Sequence, residues 1–114
     1  MLNFSNRRIF LATQPVDMRK SFDTLSFVVK HQLASEPLSG DAFLFVGKRK
    51  NRLKILVWEE SGYWLFSKRL EVGTFSLPKA TSDSKQFLTS SQFQLLLEGV
   101  IVLESRQLKR YHRP

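Results

Sequence analysis

The sequence has no cysteine and only two histidines, His31 and His112. The first absence excludes a disulfide framework and a thiolate metal site. The second leaves no paired-histidine ligand set, so no metal site is expected. Five glycines are scattered along the chain, and none sits in a phosphate-cradling Gly-rich loop. No cofactor is expected. No apolar run approaches the ~20 residues of a membrane span, so no membrane partner is expected. Residues 1–8 lack a charged region followed by a long apolar stretch, so no secretory signal is expected and the cytoplasm is the expected location. There is no internal repeat and no long low-complexity segment.

What is present is a compact, basic chain. The 114 residues carry 18 Lys and Arg against 10 Asp and Glu, a net charge of +8. That length supports one domain. With 42% hydrophobic and 12% aromatic residues, a core forms without staples, and disorder along the whole chain is excluded. The positive charge favours a polyanionic partner, most simply nucleic acid.

Periodicity sets the expected elements. Residues 9–12 are apolar and form a short strand, broken by Pro15. Asp17 is a good N-cap, and Met18, Phe22, Leu25, Val29 and Leu33 then recur at helical spacing. Arg19 and Asp23 are four apart on this helix and pair. Residues 36–40 close the helix as a loop. Residues 43–47, 53–60 and 63–70 read as three strands of a meander. Ser61-Gly62 suits a two-residue hairpin turn. That turn places Lys54 opposite Arg69, and an anion between them would relieve the repulsion. One sheet face then carries Leu53, Ile55, Val57, Trp64, Phe66 and Leu70, and is expected to meet the helix. Residues 81–91, rich in Ser and Thr, read as a mobile loop ending in a capping box, Thr89 with Gln92. A second helix follows, stopped by Gly99, and residues 100–103 form a last strand. The expected class is α+β. A single small domain over 1–103 holds an antiparallel β-meander of three or more strands packed against an N-terminal amphipathic helix, with a second short helix near the C-terminus. Residues 104–114 form a basic, flexible tail.

Three constellations carry chemistry. In residues 48–54, five of seven side chains are cationic: Lys48, Arg49, Lys50, Arg52 and Lys54. Long cations on an exposed turn are what phosphate neutralisation requires. Arg69 joins them from the third strand. Arg19 and Lys20 lie in what reads as the first turn of the helix, where they oppose the dipole unless an anion binds there. These eight cations are the expected DNA contacts. Trp58, Tyr63 and Leu65, on the face that also carries Leu56, read as an interface with a protein partner. Catalytic signals are poor. Glu59 and Glu60 are adjacent, and adjacent strand residues point to opposite faces. No nucleophile has a recognisable base beside it. No enzyme activity and no catalytic residue are expected.

The order of segments resembles one family. Pro-Val-Asp-Met-Arg-Lys-Ser-Phe-Asp at 15–23 is followed by Pro-Leu-Ser-Gly at 37–40 and Phe-Leu-Phe at 43–45. The basic turn at 48–54, Lys-Ile-Leu-Val-Trp at 54–58 and Gly62 come next. Leu-Phe-Ser-Lys-Arg-Leu-Glu at 65–71, Gly73, Phe75 and Leu-Leu-Glu-Gly at 96–99 complete the set. Together these segments, spread over residues 9–99, resemble the small accessory protein, often called TnpB or the second-open-reading-frame protein, of insertion-sequence-sixty-six-type transposable elements. The chain departs from the family pattern at Leu77, where a Trp usually precedes the proline, and at Val100-Ile101, where an Ile-Asp-type pair usually follows. The resemblance implies a role in DNA transposition inside a bacterial cell, beside a separately encoded transposase, with no established catalytic activity. Two expectations follow. One is an accessory factor binding double-stranded DNA at the element ends through the basic turn. The alternative is an adaptor that recruits or regulates the transposase without touching DNA.

Overall fold

Continuous apolar runs build the centre of the sheet, where Ala42–Val46 is buried on both faces. The computed structural model describes residues 3–79, 81–102 and 108–110. Strands β1 (Ile9–Ala12), β2 (Ala42–Val46), β3 (Arg52–Glu59), β4 (Gly62–Arg69) and β5 (Lys85–Leu88) form one sheet in the order β4-β3-β2-β1-β5. Strands β2, β3 and β4 are the expected antiparallel meander. Strand β1 runs parallel to β2. A parallel pair requires a crossover, and helix α1 (Phe22–His31) supplies it. Strand β5 pairs antiparallel with β1. Helix α2 (Ser90–Glu98) follows, and strands β6 (Val100–Val102) and β7 (Leu108–Arg110) form a separate pair.

The two faces of the sheet bury two different clusters. Leu53, Ile55 and Val57 join Ile9, Leu44, Leu70, Phe93 and Leu96 on one side. Leu56 joins Phe43, Phe45, Leu25, Val28 and Val29 on the other. Helix α1 therefore covers the Leu56 face, and α2 covers the face expected to meet α1. The expectation is corrected for a simple reason: period-two alternation separates the faces but does not say which helix covers which. Trp64 and Phe66 accordingly lie on the α2 side, and Trp64 stays 49% exposed.

Three local readings also change. Helix α1 starts at Phe22 behind the Ser21 cap, not at Asp17. Arg19 and Lys20 thus precede the helix, and Arg19 pairs with Asp17 rather than Asp23. The β3–β4 turn is Glu60–Ser61, with Glu59 opposite Gly62, so Arg52 and not Lys54 faces Arg69. Glu60 makes this turn with φ +57°, one residue earlier than glycine placement suggested. Finally, the segment read as a loop contains β5, which owes its order to β1 rather than to its own composition.

The readings at the two ends of the second helix hold. Thr89 and Gln92 form the capping box of α2, Thr89 Oγ1 accepting from Gln92 N–H at 3.1 Å. Gly99 ends that helix at φ +76°, where a Cβ would also lie 2.8 Å from Leu70 Cδ1. Of the tail expected over 104–114, residues 104–107 and 111–114 lie outside the described residues, while Leu108–Arg110 pairs with β6.

Candidate nucleic-acid interface

The basic turn between β2 and β3 is held by its backbone. Gly47 N–H donates to Arg52 O at 3.0 Å, and Lys50 N–H donates to Gly47 O at 2.9 Å. The segment leaving β4 braces it from behind: Leu70 N–H reaches Asn51 O at 2.8 Å and Phe75 N–H reaches Lys50 O at 2.7 Å. Lys50 takes φ +62°. With its polar backbone satisfied, the tip projects Lys48, Arg49, Lys50 and Arg52 into solvent. Among the described residues, none of these four forms an ion pair, whereas Arg7, Arg8, Arg19 and Arg69 each hold a carboxylate. The tip is thus an unneutralised block of positive charge.

A second segment docks against it. Val16 N–H donates to Val46 O at 3.0 Å. Met18 then packs onto Gly47, where a Cβ would lie 2.8 Å from Met18 Cγ. Asp17 folds the next residues into a turn: its Oδ1 accepts Arg19 N–H at 2.9 Å, and its carbonyl accepts Lys20 N–H at 3.1 Å. Both carboxylate oxygens also hold the Arg19 guanidinium, at 3.2 Å from Nε and 2.8 Å between Nη2 and Oδ2. These side-chain bonds, then the Arg19 backbone N–H, lower the Asp17 pKa to about 2. The direction fixes the pH window. A depressed carboxyl contributes stability above its ordinary value near 3.8 and loses it as pH falls toward the folded value. The Asp17–Arg19 pair is therefore intact throughout the neutral range.

The two segments enclose a cleft of about 700 Å³, lined by Pro15, Val16, Met18 and Gly47 with the cations Arg19, Lys48, Arg49 and Arg52. Roughly thirty residues separate the two segments in sequence, and the parallel β1–β2 pairing brings them together. A smaller groove of about 450 Å³, which shares Lys48 with the cleft, adds Lys50 and Lys79. The sequence reading missed Lys79. Its signal was Phe75, four residues earlier, whose backbone ties this segment to the tip.

The remaining cations divide. Arg69 sits directly across from Arg52, and its guanidinium is held by Glu71 at 2.9 Å. The like-charge register pair is therefore Arg52 with Arg69, and the expected pairing of Lys54 with Arg69 is corrected. Lys54 points inward to the α1 side and donates from Nζ to Lys20 O at 2.6 Å. It braces the 17–20 turn, and Lys20 flanks the cleft without lining it.

At the other end of the meander, Trp58 and Tyr63 meet edge to face at 5.1 Å. Tyr63 and Leu65 pack against the α1 cluster and are half-buried. The most exposed aromatic there is Trp64, stacked on Phe66 at 5.9 Å and donating from Nε1 to Glu59 Oε1 at 3.1 Å. The carboxylates are dispersed: Asp41 holds Arg8, and Glu59 holds Arg7. Among the described residues, no group of three or more His, Cys, Asp or Glu is placed to hold a metal ion. No helix among them is long and apolar enough to cross a membrane.

Comparison with known proteins supplies the family. Residues 7–107 match the family model described as IS66 Orf2 like protein. The uncharacterized protein y4jC of Sinorhizobium fredii is 39% identical over 93 residues, covering 82% of this chain and 79% of the relative. The uncharacterized protein y4hO of the same organism is 35% identical over 95 residues, covering 83% and 82%. No solved structure matches the chain. The family model spans both the basic tip and the 15–20 segment that docks on it, and the chain belongs to the IS66 Orf2-like family, whose members are accessory proteins of transposition rather than a known class of enzyme.

Proposed function

We propose that the protein is a non-catalytic, DNA-binding accessory factor acting in the bacterial cytoplasm, which holds double-stranded DNA at the element ends through its basic tip. The observation that carries the reading is the block of four cations, with no ion pair among the described residues, on a backbone-braced turn, joined by Arg19 from a second segment. Lys48, Arg49, Lys50 and Arg52 neutralise phosphates. Arg19, Lys20 and Arg69 extend the patch at its flanks, and Lys54 supports it from within. Nothing at the tip is arranged to read base edges, so the binding is largely electrostatic. The test is a salt-titrated binding assay on element-end and scrambled duplex. About four phosphate contacts give a log–log slope near −3.6 for both duplexes, a loss of about 100-fold between 50 and 200 mM salt. Salt-independent binding, or none at low salt, contradicts the reading.

A second reading is favoured by the aromatic end. Trp58, Tyr63 and Leu65, with exposed Trp64 beyond them, lie at the opposite end of β3 and β4 from the tip. Half-exposed aromatics are typical protein anchors, and the partner would be the transposase of the same element. The two roles are compatible because they use different ends of one sheet. Trp58→Ala is expected to abolish copurification with the transposase, and nuclease digestion is expected to leave it intact. Failure to copurify under any condition removes this reading.

A further inference from the structure

Duplex phosphates require only an outward cationic surface, yet this surface contains a cleft. Its volume, about 700 Å³, falls in the range of roughly 300–1,000 Å³ typical of small-ligand sites. A B-form duplex presents a convex backbone that lies across such a cleft without filling it. We infer that the cleft takes one unpaired nucleotide at a DNA end, its base inside and its phosphates on the cationic rim. This inference rests on the DNA-binding reading above and adds to it a class of substrate, a duplex with an unpaired terminal nucleotide.

The cleft is divided along chemical lines. Pro15, Val16 and Met18 give it an apolar wall, and Met18 is seated there because Gly47 has no Cβ. Lys48, Arg49 and Arg52 also line it, and they would take the phosphates. Asp17 also lines the cleft, and its carboxylate, held below its ordinary pKa by Arg19, is ionised at neutral pH. A fixed negative charge repels a phosphate from that wall, but it accepts from the amino groups of bases.

Arg19 supplies the remaining element. Its side chain is 92% exposed, so an unrestrained guanidinium would sample many orientations. Asp17 instead grips it through Nε and Nη2, in the side-by-side geometry that fixes its plane. A fixed, exposed guanidinium plane is a stacking surface for a nucleobase. The pair costs the cleft one cation's worth of net charge, which is a poor arrangement for phosphate binding alone and a suitable one for holding a base.

The test compares three DNA probes at fixed salt by fluorescence anisotropy: a blunt duplex, the same duplex with one unpaired terminal nucleotide, and a blunt duplex one base pair longer, whose two added phosphates more than match the overhang's one. The wild-type protein is expected to bind the overhang probe about tenfold more tightly than either blunt probe, the size of one stacked base. Arg19→Lys keeps the charge and removes the plane, and is expected to bring the overhang-to-blunt ratio to about one. Equal affinity of the wild type for all three probes overturns the inference and leaves duplex binding at the tip intact. So does an overhang preference that Arg19→Lys preserves in full. Absence of binding to every probe at low salt overturns both. Loss of transposase copurification in Arg19→Lys without any overhang preference in the wild type assigns the cleft to a protein segment and also overturns the inference.

Discussion

Replacing Lys48, Arg49 and Arg52 with Ala, and Lys50 with Asn, is expected to lower duplex affinity by at least about 100-fold at low salt, and to remove most of the log–log salt slope, leaving the weak dependence due to the flanking cations. Asn is chosen at position 50 because Lys50 has φ +62°, a region Asn tolerates better than Ala. The effect is large because the four cations act on one contact surface and no carboxylate among the described residues already neutralises them. Arg69 would contribute less, since Glu71 holds it at 2.9 Å. Lys54→Ala would act differently. It removes the brace to Lys20 O and would weaken binding by loosening the 17–20 turn. The fold of the quadruple variant should survive, because the side chains are exposed and the turn is held by backbone bonds. Its melting temperature is the control, and the assay is anisotropy over a salt series. A variant that binds as tightly as the wild type places the DNA contact elsewhere.

Leu56→Ala is expected to destabilise the protein by about 2–5 kcal/mol, by loss of buried surface and creation of a cavity. Leu56 is 1% exposed and packs in the cluster with Leu25, Val28, Val29, Phe43 and Phe45. For a domain near this size the melting temperature should fall by about 10 °C or more. The prediction discriminates between two packings. If α1 covered the Leu53, Ile55 and Val57 face, Leu56 would lie on the outer surface and its truncation would cost less than about 0.5 kcal/mol. Leu95→Ala, at a position 44% exposed on α2, is the control and should be nearly neutral. The result bears on function as well, because α1 and the turn before it position Arg19.

Local signals in the sequence foretold local structure well. The apolar run at Ile9–Ala12 marked β1, and the capping box of Thr89 and Gln92 and the stop at Gly99 depend on neighbours within a few residues. What depended on distant partners was harder to read. Strand β5 has a polar, Ser-rich approach and becomes a strand only because β1 lies beside it. Asp17 carries the same chemistry in an N-cap and in a turn that precedes a helix, and only the Ser21 cap places α1. The β3–β4 register moved by two residues because Glu60, rather than Gly62, adopted the left-handed conformation. A shift of two preserves side-chain faces, so the like-charge pair survived with Arg52 in place of Lys54. Both halves of the candidate site were visible as separate cation groups. Their meeting was not, because it requires the parallel β1–β2 pairing that sets Pro15–Arg19 against Gly47–Arg52.

The resulting picture assigns the two ends of the meander to different chemistries. One end carries the tip and cleft, and the other carries Trp58, Tyr63 and Trp64. An accessory factor with such a division would bind DNA at one end and leave the other free for the transposase. Backbone amide chemical shifts during titration with duplex DNA test this most directly. The account predicts that shifts concentrate at residues 17–20 and 47–52 and leave residues 58–65 unmoved. Shifts confined to residues 58–65, or spread evenly over the sheet, would contradict it.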